Sequence, residues 1–381
     1  MKLSILNLQL IVAIFAVGFA VSFILTPLSI VLAKKFQIID KPCDRRRMHH
    51  KAIPRFGGIA ICAGTMASMA IFDGENENIR IAMLGGAMMY IVGAADDIKN
   101  LSPWIKLICQ TIVAMIMYGM GIRITLIENY FGTGLVTFGK ALCFIVTILW
   151  IVGITNTINL IDGLDGLAAG TTAIASLCIA YIAYIHGTTY GMVSVCIALM
   201  AIAGACTGFL PFNFSPAKTF MGDGGSLFLG FMLAALSIIS PLKRSTLIAV
   251  IVPVVTLAIP IFDTFYAIIR RTLRGEPIMK ADKRHLHHML VASGHGQARS
   301  VIMLYGITAI MGMSAVLISR ELYKDAVVLM IIVVSYLYVF ITDPAHILMQ
   351  RKREARESRR ARREAEQDAE NDERAEIEDH V

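Results

Sequence analysis

The chain has 381 residues, 56% of them hydrophobic and only 17% charged, against about 25% charged residues in an ordinary soluble domain. Its mean hydropathy is +0.67, and the apolar residues come in blocks long enough to cross a bilayer, which excludes a simple soluble globule. The net charge of +7 is spread unevenly, and its placement orients the chain.

In chain order, the first apolar block, Leu8 to Leu32, ends near Lys34 and Lys35. It is too long for a signal-peptide core of about 7–15 residues, so it reads as a retained helix. Eleven spans are expected, at roughly 6–32, 57–72, 80–95, 104–121, 135–154, 167–186, 190–210, 224–240, 246–269, 301–319 and 326–342. The fold class is therefore all-α, a polytopic membrane protein with about eleven transmembrane helices. Residues 1–342 form one integral membrane domain, and 343–381 a charged cytoplasmic tail that reads as a solvated face, its arginines suited to anionic lipid.

Basic residues cluster after span 1 (Lys34 to Arg55), after span 9 (Arg270 to Arg299) and after span 11 (Arg351 to Arg363). An odd count of eleven puts all three on one side. By the positive-inside rule that side is cytoplasmic and the N-terminus lies outside. The seven cysteines form no C-x-x-C pair, so neither a zinc site nor a disulfide framework is expected.

The polar segments fall on the same face as the basic ones: "GAADDIKN" (93–100), "NTINLIDGLDG" (156–166), "FNFSPAKTFMGDGGS" (212–226) and "DKRHLHH" (282–288). Asp96, Asp97, Asp162, Asp165 and Asp223 would repel one another without a cation, and oxygen ligands without a Cys/His cage favour Mg²⁺, or Mn²⁺. Taken alone, the Asp96–Asp97 pair would be an ordinary helix-end loop and Asp223 a helix cap; their shared face is what argues for a site. Asn156, Asn159, Asp162 and Asp165 recur every third residue, so a continuing helix would present them as one polar stripe.

Lys51 and Arg55 precede Gly57-Gly58, where a bare backbone could approach a phosphate. Arg284, His285, His287 and His288 supply further donors. "MGDGGS" opens a helix, whose free N–H groups suit anions. Asp263, within span 9, is an intramembrane acid expected to pair with Arg270.

These segments, in this order among about eleven spans, resemble the polyprenyl-phosphate N-acetylhexosamine-1-phosphate transferases. The resemblance covers roughly residues 1–342. His285-Leu286-His287-His288 after Lys283-Arg284, and Pro54-Arg55 in the early loop, are similar to the GlcNAc-1-phosphate branch rather than the related phospho-N-acetylmuramoyl-pentapeptide transferases. The resemblance implies transfer of GlcNAc-1-phosphate from UDP-GlcNAc to undecaprenyl phosphate, releasing UMP and initiating a cell-envelope glycan at the cytoplasmic face of the inner membrane.

It further implies Mg²⁺ on Asp223, with Asn159 as second ligand. Asp96 or Asp97 would orient or deprotonate the lipid phosphate, with a metal-positioning role as the alternative. Asp162 and Asp165 would line the uridine and sugar pocket with Asn156 in support, and Lys51, Arg55, Arg284, His285, His287 and His288 would hold phosphates or sugar. The partners are the two substrates and membrane lipid, with a homodimer left open and no nucleic acid. The pentapeptide donor or another UDP-N-acetylhexosamine is the first alternative. A cation-coupled transporter is the second, disfavoured because the chain shows no repeated halves and its acids sit at span ends.

Overall fold

The computed structural model describes residues 7–40, 52–124, 126–128, 135–137, 139–187, 190–239 and 296–342, with scattered positions between 254 and 290. Among them are ten helices: α1 (Leu8–Lys35), α2 (Gly58–Asp73), α3 (Glu77–Lys99), α4 (Pro103–Gly119), α5 (Lys140–Ile161), α6 (Leu167–Ile185), α7 (Tyr190–Asn213), α8 (Gly222–Ile239), α9 (Gln297–Ser319) and α10 (Tyr323–Thr342). Two short antiparallel hairpins accompany them, β1 (Ile39–Asp40) with β2 (Ile53–Pro54), and β3 (Leu126–Glu128) with β4 (Leu135–Thr137).

Seven of the described helices (α1, α3, α5, α6, α7, α8 and α9) are long and apolar enough to cross a membrane, and α2 and α4 are shorter apolar helices. The protein is an all-α multi-pass membrane protein. Ten of the expected spans coincide with described helices. The ninth, 246–269, falls largely outside the described residues, as do Asp263 and Arg270.

Local chemistry sets the helix ends. Asn7 caps α1 by accepting from the Leu10 N–H at 2.8 Å, and Lys34 and Lys35 stand in its last turn, where cations oppose the helix dipole. Ser102 caps α4 ahead of Pro103, whose missing N–H is harmless at a first helical position. Two ends differ from expectation. The run beginning at 135 becomes helical only at Lys140, because Leu135–Thr137 is spent in the second hairpin. At its other end α5 continues to Ile161, so Asn156 and Asn159 are helical residues rather than loop residues.

Helix α8 is the core of the bundle: every residue from Gly222 to Leu236 is buried. It packs against α2, α3, α5 and α7. Lipid tails are as apolar as leucine, so close packing must come from small residues that let backbones meet. A Cβ on Gly18 of α1 would lie 2.6 Å from the Ala201 carbonyl oxygen of α7, and Gly204 and Gly208 of α7 lie against the backbone of Phe15 and Phe19. On α3, Gly85 and Gly86 receive the rings of Phe231 and Phe228, and Gly93 lies against the Asp223 backbone. These seams bring the ends of α3, α5 and α7 to the starts of α2, α4, α6 and α8.

Gly93→Ala would drive a methyl group into the Asp223 carbonyl. Overpacking of this kind costs about 1–3 kcal/mol, so the thermal unfolding midpoint in detergent should fall. Gly153→Ala, on an exposed stretch of α5 with open space around it, should leave that midpoint unchanged or raise it, since alanine is the better helix former.

Candidate active site

The segment before α2 lies along the segment before α8. Pro54 O accepts from Phe220 N at 2.8 Å and from Thr219 Oγ1 at 3.0 Å, while Gly57 N donates to Phe220 O at 2.9 Å and Gly58 N to Met221 O at 3.0 Å. Gly57 and Gly58 thus serve the approach of another strand of backbone, with Gly58 against Gly225. The zipper carries Arg55 over the first turn of α8.

There Arg55 bridges two carboxylates. Its Nε lies 3.0 Å from Asp97 Oδ1 and its Nη2 2.7 Å from Asp223 Oδ1. Asp97, at the end of α3, also accepts from the backbone N–H groups of Asp223 (2.9 Å) and Gly224 (3.0 Å). The anion expected at this helix N-terminus is therefore the Asp97 side chain. Asp223 does not cap α8; it lies inside the first turn, and Gly222, with φ of 68°, supplies the bend before it.

A second cation completes the cluster. Lys106, one turn into α4, contacts Asp223 Oδ2, lies 3.2 Å from Asp96 Oδ2 and donates to Asn159 Oδ1 at 3.0 Å. Asn159 in turn donates to Ser226 Oγ at 2.8 Å and Asp223 Oδ1 at 3.3 Å. The sequence reading did not single out Lys106, Gln110 or Ser226. The available signal was a lysine and a glutamine four residues apart in an otherwise apolar helix, a spacing that puts both on one face.

The expected stripe from Asn156 to Asp165 is broken. Asn156 pairs both ways with Gln110, its Nδ2 donating at 2.6 Å and its Oδ1 accepting at 3.3 Å, so it ties α5 to α4. Helix α5 then ends, and Asp162 begins a turn. Asp165 points to the loop between α7 and α8, where its Oδ2 accepts from Ala217 N at 3.0 Å. A continuous helix would have held all four on one face; the left-handed Gly166, φ 81°, is where α6 starts in a new direction.

The electrostatics are unbalanced. Among the described residues, Asp96, Asp97, Asp162 and Asp223 surround Arg55 and Lys106, two cations for four aspartates. Burial opposes the Arg55 charge, but Asp223, Asp97, Asp162 and Asp96 outweigh it and hold the guanidinium pKa above its ordinary value. Burial pushes the Asp162 carboxyl well above the usual carboxylate range; Arg55 pulls it down, and Asp223, Asp97 and Asp165 push it up. Among the described residues no three His, Cys, Asp or Glu side chains form a metal cage. What converges instead is an oxygen set, from Asp96, Asp223 and Asn159, around the Lys106 ammonium. Hard oxygens around a positive charge, with carboxylates in excess, fit an Mg²⁺ ion. Lys51, Arg284, His285, His287 and His288 lie outside the described residues.

Residues 79–241 match the family described as Glycosyl transferase family 4. A protein of Bacillus subtilis (strain 168) named "Probable undecaprenyl-phosphate N-acetylglucosaminyl 1-phosphate transferase" is 39% identical over 85% of this chain and 89% of its own. A decaprenyl-phosphate N-acetylglucosaminephosphotransferase of Mycolicibacterium smegmatis is 30% identical over 72% of this chain and 74% of its own. An undecaprenyl-phosphate alpha-N-acetylglucosaminyl 1-phosphate transferase of Thermotoga maritima is 25% identical over 71% and 78%.

The raised Asp162 carboxyl has a stability consequence. Its folded pKa exceeds its unfolded one, so the native state binds the extra proton, and stability falls as pH rises from the ordinary carboxylate range toward the folded value. Asp162→Asn should flatten this dependence and raise the thermal midpoint of the metal-free protein at pH 7 relative to wild type. Melting curves in detergent with EDTA between pH 4.5 and 7.5 check it; a variant that keeps the wild-type slope would contradict the assignment.

Proposed function

The chain belongs to the polyprenyl-phosphate N-acetylhexosamine-1-phosphate transferases of glycosyl transferase family 4, and from that premise we propose that it transfers GlcNAc-1-phosphate from UDP-GlcNAc to undecaprenyl phosphate. The products are undecaprenyl-diphospho-GlcNAc and UMP, and the reaction would start a cell-envelope glycan. The observation that carries the reading is the Asp96–Asp97–Asp223 cluster closed by Arg55 and Lys106 at one end of an apolar bundle, where a water-soluble nucleotide and a lipid phosphate can meet.

In the proposed reaction an oxygen of the lipid phosphate attacks the sugar-bearing β-phosphorus. The bond from that phosphorus to the bridging oxygen breaks, and the oxygen leaves with UMP. Charge spreads over the oxygens of the transferred group, so positioning and positive charge do most of the catalytic work. Arg55 and Lys106 are placed to exchange carboxylate partners for substrate phosphate oxygens. Mg²⁺, held by Asp223 with Asn159 and Asp96 beside it, would supply further positive charge against the diphosphate. The lipid phosphate, with a second pKa of about 6, is already largely ionised near neutral pH, so a general base is not required.

The geometry distinguishes the adjacent aspartates. Asp97 is used up by two backbone N–H groups and Arg55. Asp96 accepts from Leu101 N at 2.7 Å through Oδ1 and meets only side chains through Oδ2. We assign Asp97 to anchoring α8 and Asp96 to the reacting groups. The site lies at the end of the bundle where α1 finishes with Lys34-Lys35 and β1 pairs with the strand before Arg55. That basic end supports a cytoplasmic orientation of the site, in the inner membrane, with the N-terminus outside.

Purified protein in detergent, given undecaprenyl phosphate and UDP-GlcNAc, should release UMP with Mg²⁺ and stop with EDTA. Asp223→Asn should lower turnover by about 10²–10³-fold, the scale of losing a principal electrostatic contact in a reacting site. UMP release only from a muramoyl-pentapeptide donor would keep the chemistry and change the sugar. Silence with every UDP-sugar from folded protein would refute the proposal.

A further inference from the structure

The turn that carries Asp162 is held from an unexpected quarter. Tyr305, on α9, donates its Oη–H to the Gly166 carbonyl at 2.5 Å. The same Gly166 donates its N–H to Asn213 Oδ1 at 3.1 Å, and Asn213 Nδ2 reaches Thr219 O at 2.9 Å. Both polar groups of Gly166 are therefore held, the N–H by Asn213 at the end of α7, and the carbonyl by Tyr305 of α9 beside the first helical bond of α6, from Gly170 N at 3.0 Å. Access for the phenol depends on Gly170, in the first turn of α6: the Tyr305 ring lies on it so closely that a Cβ would overlap the ring. Gly166 itself leaves only 3.2 Å from a Cβ position to Tyr305 Oη.

We propose that Tyr305 is a positioning residue for the transfer reaction, using Gly170 as its seat to fix the Gly166 carbonyl and thereby the 162–166 turn. The role rests on the proposed function together with the family resemblance, which implies that Asp162 lines the uridine and sugar pocket. Tyr305 itself lies against backbone, and its effect passes through the turn. Losing one hydrogen bond to a pinned carbonyl loosens the turn without removing a charged group, so the effect is graded. A change of about tenfold, equivalent to roughly 1.4 kcal/mol, is expected from such a bond.

The test is Tyr305→Phe, which keeps the ring and deletes the hydroxyl. Its KM for UDP-GlcNAc should rise about tenfold while the KM for undecaprenyl phosphate stays unchanged, and amide hydrogen exchange should accelerate within 162–170 alone. Gly170→Ala should reproduce both effects, and the double variant should add nothing further. A merely structural tyrosine would lower the active fraction, seen as reduced kcat with both KM values intact and exchange faster throughout α6 and α9. That result, or a variant indistinguishable from wild type, would overturn the proposal. If wild-type protein transfers no sugar phosphate, the functional reading fails, and local exchange in the two variants still decides whether Tyr305 fixes the turn.

Discussion

The structure depends on one buried contact, the Asp97 carboxylate against the first N–H groups of α8. A helix start buried in a bundle leaves backbone donors without partners, at a cost of about 1–3 kcal/mol for each unmet group. Asp97 meets two of them and brings a negative charge to the positive end of the helix dipole. Its own charge is balanced by Arg55, which comes from a separate segment zipped along residues 219–221. One carboxylate thereby joins α3, α8 and the segment before α2. The other charged groups are arranged around that junction.

Such an arrangement needs backbones closer than ordinary side chains permit. Gly93 meets the Asp223 backbone, Gly58 meets Gly225, and Gly18 meets α7. In an apolar solvent these close seams hold the bundle together where a soluble protein would rely on hydrophobic burial. They also explain why α8, the helix with the site residue Asp223 at its start, is the most enclosed element described. The enclosed central helix holds the charged cluster away from bulk water, in surroundings where charges interact more strongly than in solvent.

Among the described residues the cluster is under-neutralised, with two cations, Arg55 and Lys106, among four aspartates. A pair of buried opposite charges can be self-sufficient, whereas an excess of one sign asks for an external counter-ion. In the proposed reaction Arg55 and Lys106 answer the substrate phosphates and a dication answers the surplus carboxylates, so the two demands are met by different groups at one place.

Much of this was legible in the sequence. Block length and hydropathy announced the membrane helices, and the shared face of the acidic segments announced a site, because both are one-dimensional properties of a chain that must cross a bilayer repeatedly. Three things were decided only by tertiary structure. Lys106 joined the site because α4 packs against α3 and α5 and sends its long side chain to Asp223, a neighbour relation that one lysine in an apolar helix does not declare. The polar stripe from Asn156 to Asp165 separated into a strut, an amide bonded to Lys106 and Ser226, a turn carboxylate and a loop cap, because α5 ends at Ile161 and spacing alone does not say where a helix stops. Gly57, Gly58 and the N–H groups of "MGDGGS" looked open to a ligand and were taken by the protein itself. Periodicity records which residues can face one way; which partner reaches them first depends on the packing of segments far apart in the chain.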